Sequence, residues 1–123
     1  SDPAKLDKLN SLVWPALADE VNELIKSSST DIVIVEAAIL IKAGWEYMCH
    51  EIWASIVPPE EAVKRISERN NLTPEQAKQR IDAQPPNKNY VEAANVVFCT
   101  LWPEDFTRSQ VDKAWNLLKN RLP

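Results

Sequence analysis

The chain carries one glycine, Gly44, in 123 residues, where average usage would give roughly eight. Glycine is the residue that lets backbone approach a phosphate closely. A loop of the GxxxxGK[ST] type needs two glycines and a dinucleotide fingerprint needs three, so neither can be assembled from these residues. A charged first ten residues and the lack of a long apolar run argue against a secretory signal or a membrane span within the sequence. Fourteen Lys and Arg stand against eighteen Asp and Glu, a net charge of -4. That balance disfavours nucleic acid or an anionic membrane surface as partner, so any anion bound here needs a local positive patch. The length suits one domain, and 45% apolar residues with 26% charged suit a globular one.

The element pattern alternates. Asp2 and Pro3 form a cap and first-turn pair ahead of Leu6, Leu9 and Val13 at helical spacing, and Pro15 predicts a kink or a restart into a second helix carrying Leu17, Val21, Leu24 and Ile25. Ile32, Val33, Ile34 and Val35 are four consecutive β-branched residues, the pattern of a strand covered on both faces. A short helical segment is expected at Trp45 to Met48, a second strand over residues 52–57, and a helix from Pro59 to Arg69. Thr73, Pro74 and Gln76 supply a cap, a first-turn proline and a capping-box partner for a helix reaching about Gln84. Residues 85–89 read as an exposed loop, residues 95–101 as a third strand, and Thr107 with Gln110 as the cap of a last helix. Three strands alternating with helices predict an α/β layer structure with mostly parallel pairing. Ligands of such sheets sit beyond the carboxyl ends of the strands, which here means Glu36, Pro58 and residues 100–102.

The local positive patch lies between Lys64 and Lys88, where six basic residues face three acids. Arg65 and Arg69 share a helix face four residues apart, and Arg80 sits on the next helix with Gln84 one turn on. Converging guanidinium groups suit a polyphosphate, because the planar fork binds two oxygens and keeps its charge. On charge pattern alone, two solvated amphipathic helices explain the segment better. His50, the only histidine, has no spaced partner and reads as a structural or surface residue rather than a base or ligand. Cys49 and Cys99 lack CxxC spacing and read as reduced core thiols of an intracellular protein. Most of the five tryptophans read as core, with Trp14 and Trp45 as candidates for the wall of a cleft.

Three blocks carry a resemblance: IVIVEAAILIKAGW from Ile32, WASIVPPEEAVKRISERNNLTPEQAKQRIDAQ from Trp53, and VVFCTLWPEDFTRSQVDKAWNLLKNRLP from Val96. Together with KLDKLNSLVWPALADEV from Lys5 they resemble the second half of the dephospho-coenzyme A kinase domain, and among its members the kinase domain of animal bifunctional coenzyme A synthase, which shares Trp-Pro where bacterial members carry His-Pro. The resemblance implies an incomplete P-loop kinase-like three-layer fold, with parallel strands flanked by helices, a helical lid at about residues 70–90 and no P-loop strand. It implies a parent enzyme that transfers the γ-phosphate of ATP to the ribose 3′-hydroxyl of dephospho-coenzyme A with Mg. No cofactor is assigned to this chain itself, and no metal ligand. Arg80 and Arg69 would be catalytic; Arg65, Arg69, Arg80, Gln84, Thr100 and Trp102 would bind ATP; Glu36, Lys42 and Trp45 would lie toward the acceptor.

The resemblance also marks departures. Family members open with a strand, a glycine-rich phosphate loop and an Asp base, none of which is found in these residues. Glu36 stands where relatives usually have Asp, and Lys42 where they usually have Glu, a reversal of charge beside the acceptor. The expectation is therefore a kinase portion that is inactive by itself, completed by an N-terminal half, with no nucleic-acid partner and no transmembrane segment, in the cytoplasm or mitochondrion. The competing expectation is a non-catalytic nucleotide- or coenzyme A-binding module, or a scaffold, derived from the same family.

Overall fold

The computed structural model describes residues 2–122, which form two compact units, one ending at His50 and the other starting at Glu51. In the first unit, helix α1 spans Pro3–Ser27. Its start follows from the sequence: the Asp2 carboxylate accepts the Ala4 N–H at 3.1 Å, and Pro3 occupies the first turn, where a missing N–H costs nothing. A restart at Pro15 does not occur, since α1 runs through it. Proline deprives a helix of one internal hydrogen bond. Over 25 residues, with Ala16, Leu17 and Ala18 following as strong helix formers, that loss does not end the helix.

Residues 32–35, expected as a strand, form none. A run of β-branched residues becomes a strand only when its N–H and C=O groups pair with a neighbour. Among the described residues no ladder reaches this segment, and Ile34 stays 78% exposed. A series of turns follows, closed by Ala43 N–H on the Ile39 carbonyl at 2.7 Å and Trp45 N–H on the Leu40 carbonyl at 2.9 Å. Gly44 has φ of +69°, the left-handed conformation that directs the chain into a 3₁₀ turn at Trp45–Met48. Trp45 is buried.

The second unit runs β1 (Trp53–Ile56), α2 (Pro59–Asn70), α3 (Pro74–Asp82), α4 (Asn87–Ala93), β2 (Val96–Cys99) and α5 (Glu104–Lys119). The two strands are parallel, with Trp53 opposite Val96 and Ile56 opposite Cys99, and the three helices between them supply the crossover that parallel pairing requires. Asn95 sets the register. Its side-chain carbonyl accepts the Ile52 N–H at 2.8 Å, and its own N–H donates to the Ile52 carbonyl at 2.8 Å. Trp53 and Phe98 meet edge to face at 5.5 Å, and Ala54 of β1 is buried.

Helix α2 opens at Pro59 with Glu60 and Glu61 in its first turn, where carboxylates complement the helix dipole. It ends at Asn71 in the left-handed conformation, φ 50°, a cap that asparagine tolerates. Helix α3 has the full capping box: Gln76 N–H donates to Thr73 Oγ1 at 3.2 Å and Thr73 N–H to Gln76 Oε1 at 3.0 Å. Ala77 of α3 is fully buried where α2 and α3 pack. The loop expected at residues 85–89 is partly helix, because Pro86 caps α4 and the Asn87 amide donates to the Val57 carbonyl at 2.8 Å, fixing the first turn against the end of β1. The last helix starts earlier than Thr107. Pro103 is its cap residue, Phe106 and Thr107 N–H groups donate to the Pro103 carbonyl, and Glu104 and Asp105 fill the first turn.

Candidate functional site

The carboxyl ends of β1 and β2 converge on Thr100. Its N–H donates to the Ile56 carbonyl at 2.9 Å and its hydroxyl reaches the same oxygen at 3.4 Å, so the residue after β2 is tied to the end of β1. Arg65 closes over this point from α2. Nη2 donates to the Thr100 carbonyl at 2.7 Å and Nη1 to Thr100 Oγ1 at 3.3 Å, while Nε donates to Glu61 Oε1 at 2.8 Å. The guanidinium is thus fixed on two sides, with 43% of the side chain still exposed. Arginine has five N–H donors, and the two not engaged in these bonds remain for a ligand.

The other basic candidates are less constrained. Arg69, one turn beyond Arg65, is exposed and donates from Nε to Asn70 Oδ1 at 3.0 Å. Arg80 is exposed on α3 and forms no ion pair among the described residues, and Gln84 is exposed just past the end of the helix. Of the residues expected at the nucleotide, the structure brings Arg65 and Thr100 into direct contact. Trp102 lies to one side, 55% exposed, its ring edge to face with Phe106 at 6.4 Å. Those two rings line a shallow groove of about 130 Å³ together with Cys99, Thr107 and Gln110.

Three residues in this region were not singled out as site residues. Glu61 had the spacing to be found, four residues before Arg65 on one helix, but an acid in a first turn is ordinary. Asn87 was hidden in an expected loop, and Phe106 in an expected linker. Of the three, Asn87 depends on a partner far away in sequence, Val57, 30 residues back.

In the first unit, Glu36 and Lys42 are exposed, whereas Trp45 is 6% exposed. Trp45, Trp14, Pro15 and Tyr47 line an open cavity of about 260 Å³ in which Glu36 and Lys42 take no part. The Tyr47 hydroxyl is within 3.5 Å of the Asn22 amide. His50 is exposed. Burial, and then the Glu46 carboxylate, push the Cys49 thiol up, which keeps it protonated and a poor nucleophile. At the opposite end of the sheet from Thr100, Glu51 accepts the Trp53 indole N–H at 2.6 Å and Arg121 Nη2 at 2.7 Å. These bonds, the indole first, hold its carboxyl below the ordinary glutamate range. Among the described residues no three His, Cys, Asp or Glu side chains converge as metal ligands, and no helix is long and apolar enough to cross a membrane.

Comparison with known proteins places these observations. The family model described as dephospho-CoA kinase matches residues 1–100. A dephospho-CoA kinase of Syntrophus aciditrophicus is 31% identical over 128 residues, covering 99% of this chain and 54% of the relative. One of Carboxydothermus hydrogenoformans is 34% identical over 110 residues, covering 87% and 53%. The chain thus spans about half the length of the curated relatives it matches. Among solved structures, TT1252 from Thermus thermophilus superposes with a TM-score of 0.76 at 25% identity, over 96% of this chain and 62% of that one. With a matched family model over most of its length and a parallel α/β unit in which an arginine of α2 closes on the strand ends, this chain belongs to the dephospho-CoA kinase family.

Proposed function

We propose that these residues form the second half of a P-loop kinase-like domain that moves the γ-phosphate of ATP to the 3′-hydroxyl of dephospho-coenzyme A. The observation that carries the reading is Arg65 bonded to Thr100 beyond the carboxyl ends of two parallel strands, in a chain of this family. Thr100, Trp102 and Arg65 would flank the nucleotide. Arg69 and Arg80, which keep more free donors than Arg65, would neutralise the charge spread over the transferring phosphoryl group, with Gln84 beside them. Glu36, Lys42 and Trp45 would lie on the acceptor side. Magnesium, when bound with ATP, would supply further charge neutralisation at the phosphates; among the described residues no cluster of three His, Cys, Asp or Glu stands ready to hold it.

With Gly44 as the only glycine, a phosphate loop cannot come from these residues, so phosphoryl transfer would depend on the N-terminal half of the domain and this chain alone would be inactive. That half would complete the fold, and residues 70–90 would act as its lid. Trp14-Pro15 and the block from Ala62 to Gln84 support a likeness to the animal bifunctional enzymes, for which an intracellular site in the cytoplasm or mitochondrion would follow. Lys42, exposed and reversed in charge, favours a second reading as a non-catalytic binding or scaffold module.

Titration calorimetry of the chain with ATP and with dephospho-coenzyme A, paired with a phosphotransfer assay on a polypeptide that also carries a GxxxxGK[ST] segment, separates the readings. Turnover by the longer polypeptide and none by the chain alone is expected. Binding without turnover in both would favour the module, and no binding to either ligand would defeat both readings.

A further inference from the structure

Glu61 and Arg65 lie four residues apart on α2, and an ion pair at that spacing on a helix surface is usually worth little. Two features distinguish this one. The Glu61 side chain is only 26% exposed, and the guanidinium it holds is shared with Thr100, a residue 35 positions away at the end of the other strand. The carboxylate engages Nε, leaving Nη1 and Nη2 to take the hydroxyl and carbonyl of Thr100. A long arginine side chain loses much rotamer freedom in reaching a ligand; here that loss is taken in folding. We propose that Glu61 is a positioning residue, whose carboxylate sets the Arg65 guanidinium against the strand end before a nucleotide arrives.

The inference rests on the reading of the strand end as the nucleotide side, and adds to it a residue that touches no ligand. It follows that Glu61 acts through the orientation of Arg65 and on nucleotide affinity rather than on the chemical step. A fixed group binds with less ordering cost than a free one.

Steady-state kinetics of the full-length kinase containing these residues, with ATP varied, test this with Glu61→Ala, Glu61→Gln and Arg65→Ala. Removing the carboxylate should raise KM for ATP about fivefold, the effect of a partly exposed charge-assisted bond, with kcat held within about twofold. Glu61→Gln keeps an oxygen acceptor and should restore KM to within about twofold. The double variant Glu61→Ala/Arg65→Ala should be no worse than Arg65→Ala, because both act through one guanidinium. If Arg65→Ala raises KM while Glu61→Ala leaves it unchanged, Glu61 is only a surface ion pair and the inference fails although the nucleotide reading stands. If Arg65→Ala also leaves KM unchanged, the strand end is not the nucleotide side and both fail. A lower melting temperature with unchanged KM for Glu61→Ala would assign it a structural role and likewise overturn the inference.

Discussion

Gly44 is needed for its conformation and not for space. At φ +69° any other residue is strained, yet an added Cβ would meet nothing within 4 Å. Gly44→Ala should therefore cost about 1–2 kcal/mol from backbone strain alone, read as a lower urea midpoint with no loss of helical circular dichroism. Glu51 gives a pH-dependent counterpart. Its carboxyl is held below the ordinary value of 4.5, first by the Trp53 indole N–H and then by Arg121. A depressed carboxyl contributes stability in full above its unfolded value and loses it as pH falls through the folded one. The expected outcome is that Glu51→Gln lowers stability at neutral pH and that the gap to the parent chain closes as the pH falls below 4.5, measured by urea unfolding across pH. A gap that persists in acid would mean that packing, not charge, holds Arg121 there.

Among the elements, α3 is the one written most fully in local sequence. Both halves of its capping box form, so Thr73→Ala should cost about 1 kcal/mol and release the Gln76 side chain, measurable as faster amide exchange at Gln76 and Ala77. Local signals were sufficient there because every partner lies within four residues. Elsewhere they were not. Residues 32–35 have the composition of a strand and form none, because strand formation depends on a pairing partner and not on propensity. Pro103 moved the start of α5 back from Thr107, since a proline cap followed by two acids outweighed a threonine inside the first turn. Pro85 and Pro86 concealed α4, whose first turn is fixed by a bond from Asn87 to Val57, 30 residues away. The site follows the same division. The basic face of α2 could be read from charge spacing, but the convergence of Arg65 and Thr100 could not, because it spans 35 residues.

At the scale of the whole molecule, the described residues bury few large side chains. Leu6, Leu9, Leu12 and Leu24 of α1 are each more than half exposed, and buried apolar residues include only Ala18, Trp45, Ala54 and Ala77. Stability of such a chain rests heavily on its hydrogen-bonded strand ends and helix caps, and regions lacking them should open first. Hydrogen exchange should show slow amides in β1 and β2 and fast ones across residues 28–36. Equal protection in both regions would contradict this ranking.

The Asn87 amide on the Val57 carbonyl sets a limit on motion. It ties the first turn of α4 to the residue after β1, so in the proposed lid any swing of α3 over a nucleotide would be absorbed upstream of Asn87. At the other end the left-handed Asn71 would serve that lid as its hinge. In the lid proposed above, the moving part would then shrink from about residues 70–90 to the stretch 72–86, a single short helix with a pivot at each side. Asn87→Ala would lengthen the swinging arm into α4, trading a crisp closure for a looser one.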